Sequence, residues 1–325
     1  MHDELIKDIG ERELIGRLSR YMPKNQTSDD CAFLEINSKN LLINTDLMVE
    51  NTHFNHQVIT PTDLGWKSVI TNYSDLISSG CNEFIGINIG LVLPPNTQCK
   101  WVEELYKGIN QALYFYGGSI LGGDCSKGEN KIVSICALGI QGKLKFRRYG
   151  CAPNEILLTT GIHGLSKLGF LIQSGKLKNQ NFSSKLIKDS TKAFLRPEIR
   201  FEIQKMIEGR YLNDQKNIIG CTDTSDGLFQ GAMELAKESK CSVIIDYTKI
   251  PKHIDWPEGD EWNEYYFFGG EDYQLLFSMP RELADNLLKD KNIYEIGYIK
   301  EGNPSVKITN CEKVINLENQ SFSHF

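Results

Sequence analysis

Residues 41–54, LLINTDLMVENTHF, constrain this chain more than any other stretch. Leu41, Leu42 and Ile43 read as a buried strand, which brings Asn44, Thr45 and Asp46 to the strand's end. Glu50 and His53 follow in what reads as a loop. A rigid apolar rod ending in carboxylate, hydroxyl and amide oxygens suits a hard cation such as Mg2+. A lone strand-end Asp more often caps a turn, so the reading rests on recurrence. Asp29-Asp30 leads into a strand over 31–36, and Gly122-Gly123-Asp124 closes a short apolar run at 119–121. A strand over 218–221 runs into Asp223, Ser225 and Asp226, which open a helix over 228–237. Glu271-Asp272 follows Gly269-Gly270 and precedes a strand over 274–277. Asp75 lies three residues after Asn72, a polar patch on an otherwise apolar helix over 63–79. Carboxylates collected in one cleft repel each other, so the pattern implies bound divalent ions.

A chain of 325 residues has room for two domains. The basic, Gly- and Pro-marked stretch at 143–153 is the natural boundary, giving domains over 1–145 and 146–325. Further helices are expected over 11–21, 101–116 and from 165, with strands over 84–93, 131–142 and 155–160. Strands and helices mix in both halves, which makes the class α/β or α+β. The net charge of −6 argues against a nucleic-acid partner. It leaves room for a small anionic substrate held through metal ions. Nine cysteines without a Cys-x-x-Cys pair indicate neither a zinc knuckle nor a thioredoxin-type site, and fit reduced thiols in a cytoplasm. The first residues have no apolar signal core, and the apolar run at 84–93 is too short to span a bilayer. A cytoplasmic protein without a membrane segment is expected.

Mg2+ held by carboxylates mainly serves to bind polyphosphate, because the ion takes phosphate oxygens as its remaining ligands. Phosphoryl transfer needs alignment and charge neutralisation more than a covalent nucleophile, and none is expected here. The Walker A, Gly-x-Gly-x-x-Gly, His-Glu-x-x-His and Gly-x-Ser-x-Gly patterns do not occur.

Seven motifs then stand in order. They are Gly10-Glu11-x-x-Leu14-Ile15, Asp29-Asp30-Cys31-Ala32 and Thr45-Asp46-x-x-Val49-Glu50-x-x-His53-Phe54. Next come Trp66-Lys67-x-x-x-x-Asn72-x-Ser74-Asp75-Leu76 and Gly122-Gly123-Asp124. Ser225-Asp226-Gly227-Leu228 and Gly269-Gly270-Glu271-Asp272-Tyr273 complete the set. Together they resemble the thiamine-monophosphate kinase family, of the superfamily of aminoimidazole ribonucleotide synthetase and selenide, water dikinase. The resemblance runs nearly the whole chain, to His324-Phe325.

It implies a two-domain α/β (α+β) fold like that of aminoimidazole ribonucleotide synthetase. The N-terminal mixed sheets would pair across a homodimer, and the C-terminal α/β domain would complete a nucleotide and substrate cleft. By position, the resemblance makes Asp30, Asn44, Thr45, Asp46, Asp75, Asp124 and Asp223 ligands of several Mg2+ ions, with Asp226 holding a further one. Tyr106, Gly123, Asp124, Arg148 and Ser225 would contact ATP; His53, Glu271 and Phe322 would hold thiamine monophosphate, Phe322 by stacking on the cationic ring. The implied reaction is direct in-line transfer of the γ-phosphoryl group, yielding thiamine diphosphate and ADP. Ser28, Cys125-Ser126-Lys127 and residues 161–167 depart from the family pattern, all on the nucleotide side. Two alternatives stay open: another ATP-dependent enzyme of the superfamily, or a non-catalytic Mg-nucleotide-binding relative. Against selenide, water dikinase, residues 9–24 hold neither a Cys nor a glycine cluster.

Overall fold

Two sheets meet in a shared core, and the second half has two further apolar clusters of its own. The structure, a computed structural model, describes residues 13, 29, 31–36, 39–177, 182–211, 218–259, 262–310 and 313–315. Asp30, Phe322 and all but one residue of the helix expected over 11–21 lie outside the described residues.

The first sheet contains β1 (Ala32–Ile36), β2 (Lys39–Val49), β3 (Cys81–Leu93), β4 (Ser119–Lys127) and β5 (Ile132–Gln141), in the order β1-β2-β5-β3-β4. Strict alternation builds its core face: along β5, Val133, Ile135, Ala137, Gly139 and Gln141 are buried, and the residues between them are half-buried. Helix α1 (Pro61–Ser78) starts where the Thr60 side chain accepts from the Asp63 amide and Pro61 supplies a helical φ. Helix α2 (Cys99–Tyr116) is the crossover that lets β4 run parallel to β3. The two helices cross at Gly65 and Gly108. A Cβ on Gly65 would overlap the Leu105 carbonyl oxygen, and one on Gly108 the Thr62 carbonyl oxygen.

The strand ends expected at Asp46 and Asp124 do not occur, since both residues lie inside longer strands. β2 stays paired with β5 from Leu41↔Ile140 to Val49↔Ile132, so polar residues are carried within the ladder. The period of two explains how this is tolerated. Leu42, Asn44 and Met48 are buried on the face toward α1, whereas Thr45 and Leu47 are exposed on the other.

The second half begins with β6 (Lys145–Arg147) and β7 (Ile156–Thr159). Then come α3 (Leu165–Gln173), α4 (Ser184–Leu195), α5 (Glu202–Tyr211), β8 (Ile218–Asp223) and α6 (Leu228–Ser239). β9 (Ser242–Asp246), α7 (Asn263–Phe268), β10 (Leu275–Met279) and α8 (Arg281–Ala284) follow. β11 (Tyr294–Lys300), β12 (Ser305–Asn310) and β13 (Lys313–Ile315) close the described chain. Its sheet has the order β13-β12-β9-β11-β7-β10-β8-β6, antiparallel except for the β9–β12 and β6–β8 pairs. Mixed sheets and helices in both halves are the α/β (α+β) architecture expected from the sequence.

Helix α1 lies along the seam between the halves. The Trp66 indole N–H donates to the Pro197 carbonyl at 2.8 Å, and Asp63 accepts from Arg196 at 2.5 Å. Leu42, Ile70 and Ile135 share a cluster with Leu158, Ile219 and Phe277 of the second sheet. Covered on both sides, α1 carries buried polar residues at Lys67, Asn72 and Ser74. Among the described residues, no helix is long and apolar enough to cross a membrane.

Candidate active site

The buried polar residues of α1 brace acids from both halves. On the first-domain side, the pairing of β1 with β2 ends at Ala32↔Ile43, so the following residues of β2 need other partners. Asn72 supplies one. Its Oδ1 accepts from the Asp46 amide at 3.2 Å and from Asn44 Nδ2 at 3.2 Å, and its own Nδ2 donates to the Ser68 carbonyl at 3.0 Å. Asn44 Nδ2 also donates to Asp75 Oδ2 at 2.9 Å. Asn44 Oδ1 is left buried with no hydrogen-bond partner, on a side chain already bonded to the Asp75 carboxylate.

On the other side of α1, β8 ends at Asp223. Its Oδ2 accepts from Ser74 Oγ at 2.6 Å across the seam, and its Oδ1 accepts from Ser225 Oγ at 2.8 Å. Asp226 follows, half-buried, and Gly227 at φ 98° turns the chain into α6. The Ser225 carbonyl accepts from the Glu271 amide at 2.7 Å, joining this turn to the Gly-Gly-Glu-Asp-Tyr segment. Glu271 and Tyr273 both hold positive φ, 57° and 50°, in the left-handed region that non-glycine residues rarely adopt. Lys67 Nζ meets Glu271 Oε2 at 2.9 Å. Asp272 is fully buried and accepts from the Gly164 and Ser166 amides at the start of α3. Burial pushes its carboxyl up to about 7 against the pull of those bonds.

Tyr273 reports the convergence. Burial holds its hydroxyl well above its ordinary value, and Glu271, Asp46, Asp223 and Asp75 push it further the same way. Four acids from both halves therefore act on one phenol at the seam. All donors gathered here are oxygens, and Asn44 adds an unused one, which suits Mg2+ better than a softer ion. Among the described residues, no three His, Cys, Asp or Glu side chains are close enough to share one ion.

Other sequence-derived residues lie apart. Following the ladder, Asp46 pairs with Ile135, Ile135 with Ile89, and Ile89 with Gly123. Gly123 thus shares the row of Asp46, three strands away, or roughly 14 Å at the usual strand spacing. Asp124, one residue on, faces the opposite side of the sheet, as does Thr45. A Cβ on Gly123 would overlap the Ile89 carbonyl oxygen, so β4 approaches β3 too closely for a side chain. Tyr106 lies on α2 near Cys125 of β4, and burial raises its hydroxyl's pKa.

His53 sits in the turn after β2. The Val49 amide donates to its Nδ1 at 3.1 Å, so the neutral ring carries its proton on Nε2. Glu50 fixes that turn: Lys131 gives it Nζ at 2.8 Å and the backbone amide at 3.1 Å. Arg148 pairs with Glu234 of α6 at 2.9 Å, while the preceding Arg147 is buried and pairs with Asp29 at 3.5 Å. Lys67, Asn72, Ser74 and Tyr273 stand in the motifs that carry the resemblance, but the sequence reading gave none of them a place among the site residues. For the three on α1, the available signal was polar residues on an otherwise apolar helix.

The model of the N-terminal domain of AIR synthase related proteins matches residues 28–141, and that of the C-terminal domain matches 153–308. Fold and seam thus define an AIR synthase related protein. Over 326 residues the chain is 38% identical to the thiamine-monophosphate kinase of Prochlorococcus marinus, covering 99% of this chain and 98% of that one. It is 33% identical over 303 residues to that of Aquifex aeolicus, covering 91% and 94%. The chain belongs to the thiamine-monophosphate kinase family of AIR synthase related proteins. The solved structure of AaThiL complexed with AMPPCP and TMP matches it with a TM-score of 0.86 at 28% identity, over the whole of both chains.

Proposed function

We propose that this chain is an enzyme that transfers the γ-phosphoryl group of ATP to thiamine monophosphate, giving thiamine diphosphate and ADP. The observation that carries this reading is the bracing of acids from both halves by one helix at the seam: Asn72 holds the Asp46 amide, Asn44 joins Asp75, and Ser74 holds Asp223. Asp46, Asp75, Asp223 and the unpartnered Asn44 Oδ1 would be divided among several Mg2+ ions, with Asp30, Thr45, Asp124 and Asp226 as the further ligands implied by position. Such ions would supply charge neutralisation for the polyphosphate and for the charge that builds up during transfer.

The chain's own groups bind and orient. His53 presents its Nε2–H as a donor to a phosphate oxygen, because Nδ1 is occupied by the Val49 amide. Arg148 exchanges its Glu234 carboxylate for phosphate oxygens, a more highly charged partner with matching geometry. Ser225, just before α6, offers its hydroxyl toward the nucleotide, and Glu271 and Phe322 hold the cationic acceptor. Aligned reactants allow direct in-line transfer without a phosphorylated side chain.

The protein acts as a homodimer that pairs through the outer face of the first sheet, where Leu47 is half exposed. Tyr106, Gly123 and Asp124, at or beside the edge strand β4, would then serve a site that includes Asp46 of the other copy. The test measures ADP release from Mg2+-ATP with thiamine monophosphate, thiamine, an aminoimidazole ribonucleotide precursor and selenide as acceptors. Turnover is expected with thiamine monophosphate alone. Turnover with another acceptor refutes the substrate assignment, and ATP binding without turnover refutes the enzyme reading.

A further inference from the structure

Lys67 is a fully buried lysine whose partners all lie in the other half of the chain. Its ammonium meets Glu271 Oε2 at 2.9 Å and lies 4.2 Å from the ring centroid of Phe194 on α4. It also favours the ionised form of Asp272, the next residue along. Only 2% of its side chain is exposed, so it reaches no ligand in the cleft, whereas 36% of the Glu271 side chain is exposed. Burying an ammonium is costly, and the cost is met only by close partners that stay in place. Glu271 is moreover at φ 57°, a strained backbone that persists where surrounding contacts hold it.

We infer that Lys67 is the positioning residue for the acceptor: it holds Glu271, across the domain seam, in the orientation that receives the cationic ring. The inference rests on the thiamine monophosphate reading above and adds the residue that sets acceptor affinity. With Oε2 fixed by Lys67, the other carboxylate oxygen is free to face the cleft. Without the ammonium, Glu271 and Asp272 repel each other, and Glu271 loses its anchor to α1. The nucleotide groups Arg148 and Ser225 have no contact with Lys67 in the described hydrogen bonds and ion pairs.

The experiment compares Lys67→Met, Lys67→Arg, Glu271→Gln and the Lys67→Met/Glu271→Gln pair in the full chain. Lys67→Met should raise KM for thiamine monophosphate by about tenfold or more, as expected when one partner of a desolvated pair is removed. KM for ATP should stay within about twofold, and Lys67→Arg should recover most of the loss. In the Glu271→Gln background, Lys67→Met should raise KM little further, because its effect passes through the carboxylate. Hydrogen exchange reads the same claim without turnover: the Glu271 amide, bonded to the Ser225 carbonyl, should exchange faster in Lys67→Met. Equal changes in both KM values, or an unchanged KM for thiamine monophosphate, would overturn the inference. So would unchanged exchange at residue 271. Failure of the wild type to use thiamine monophosphate would instead sink the functional reading and leave the exchange result to judge Lys67.

Discussion

Replacing Asn72 by Ala removes the acceptor that completes β2 where its pairing with β1 has ended. Asn72 is buried, and its side chain accepts from the Asp46 amide and Asn44 and donates to the Ser68 carbonyl and, more weakly at 3.5 Å, to Thr71 Oγ1. Asn44 keeps Asp75 as a partner and the Ser68 carbonyl belongs to the helix ladder, so the Asp46 amide bears most of the loss. An unsatisfied buried donor costs about 1–3 kcal/mol. Truncating a fully buried side chain adds roughly 1 kcal/mol for the space it leaves. A fall of about 2–4 kcal/mol in unfolding free energy is therefore expected, read from urea midpoints at unchanged m-value. Phosphoryl transfer measured well below the transition should fall further than stability explains, because the brace of Asp46 and Asn44 is lost. Asn72→Asp keeps the acceptor oxygen but adds a charge beside Asp46 and Asp75, so it should harm activity more than it harms folding. A stability change below about 0.5 kcal/mol in Asn72→Ala would refute the reasoning, since it would place Asn72 among ordinary surface substitutions.

Asp272 predicts a pH dependence. Its folded carboxyl, pushed up to about 7 by burial, holds its proton more tightly than an unfolded aspartate near 4. The folded state thus binds more protons in that interval, and this group's contribution to stability falls as pH rises from about 4 to about 7, then levels off. Asp272→Asn should flatten the wild-type slope by up to about 1.4 kcal/mol per pH unit, measured by urea unfolding at several pH values; parallel slopes would contradict it. The opposite facing of Asp46 and Asp124 makes a second prediction: mixing inactive Asp46→Asn and Asp124→Asn chains under exchange should restore part of the activity. No recovery in demonstrated mixed dimers would mean that each chain uses its own acids.

Much of the fold was legible because local rules agree. Alternation along β5 and the apolar spacing of α1 each admit one reading, and Gly117-Gly118 ends α2 as its sequence suggests. The extent of β2 was not legible, because Asn44 and Asp46 look like the end of a strand unless a polar helix face is known to cover them. Recurrence of acids after short strands drew attention to Asp46 and Asp223, and the polar patch with Asn72 drew it to Asp75. Their braces were harder: a buried Lys67 or Ser74 reads as a solvated face until α1 is known to be covered on both sides. The facing of Asp124 depends on a register that shifts between Ile87 and Asn88, and no local pattern encodes that shift.

The central claim is that this seam moves the γ-phosphoryl group intact from ATP to thiamine monophosphate. The most direct measurement supplies ATP labelled with 18O throughout its γ-phosphate and follows the label by mass spectrometry. The account predicts thiamine diphosphate with a labelled terminal phosphoryl group, formed one for one with ADP. Label released as inorganic phosphate with thiamine monophosphate untouched, or a thiamine diphosphate formed together with AMP, would contradict it.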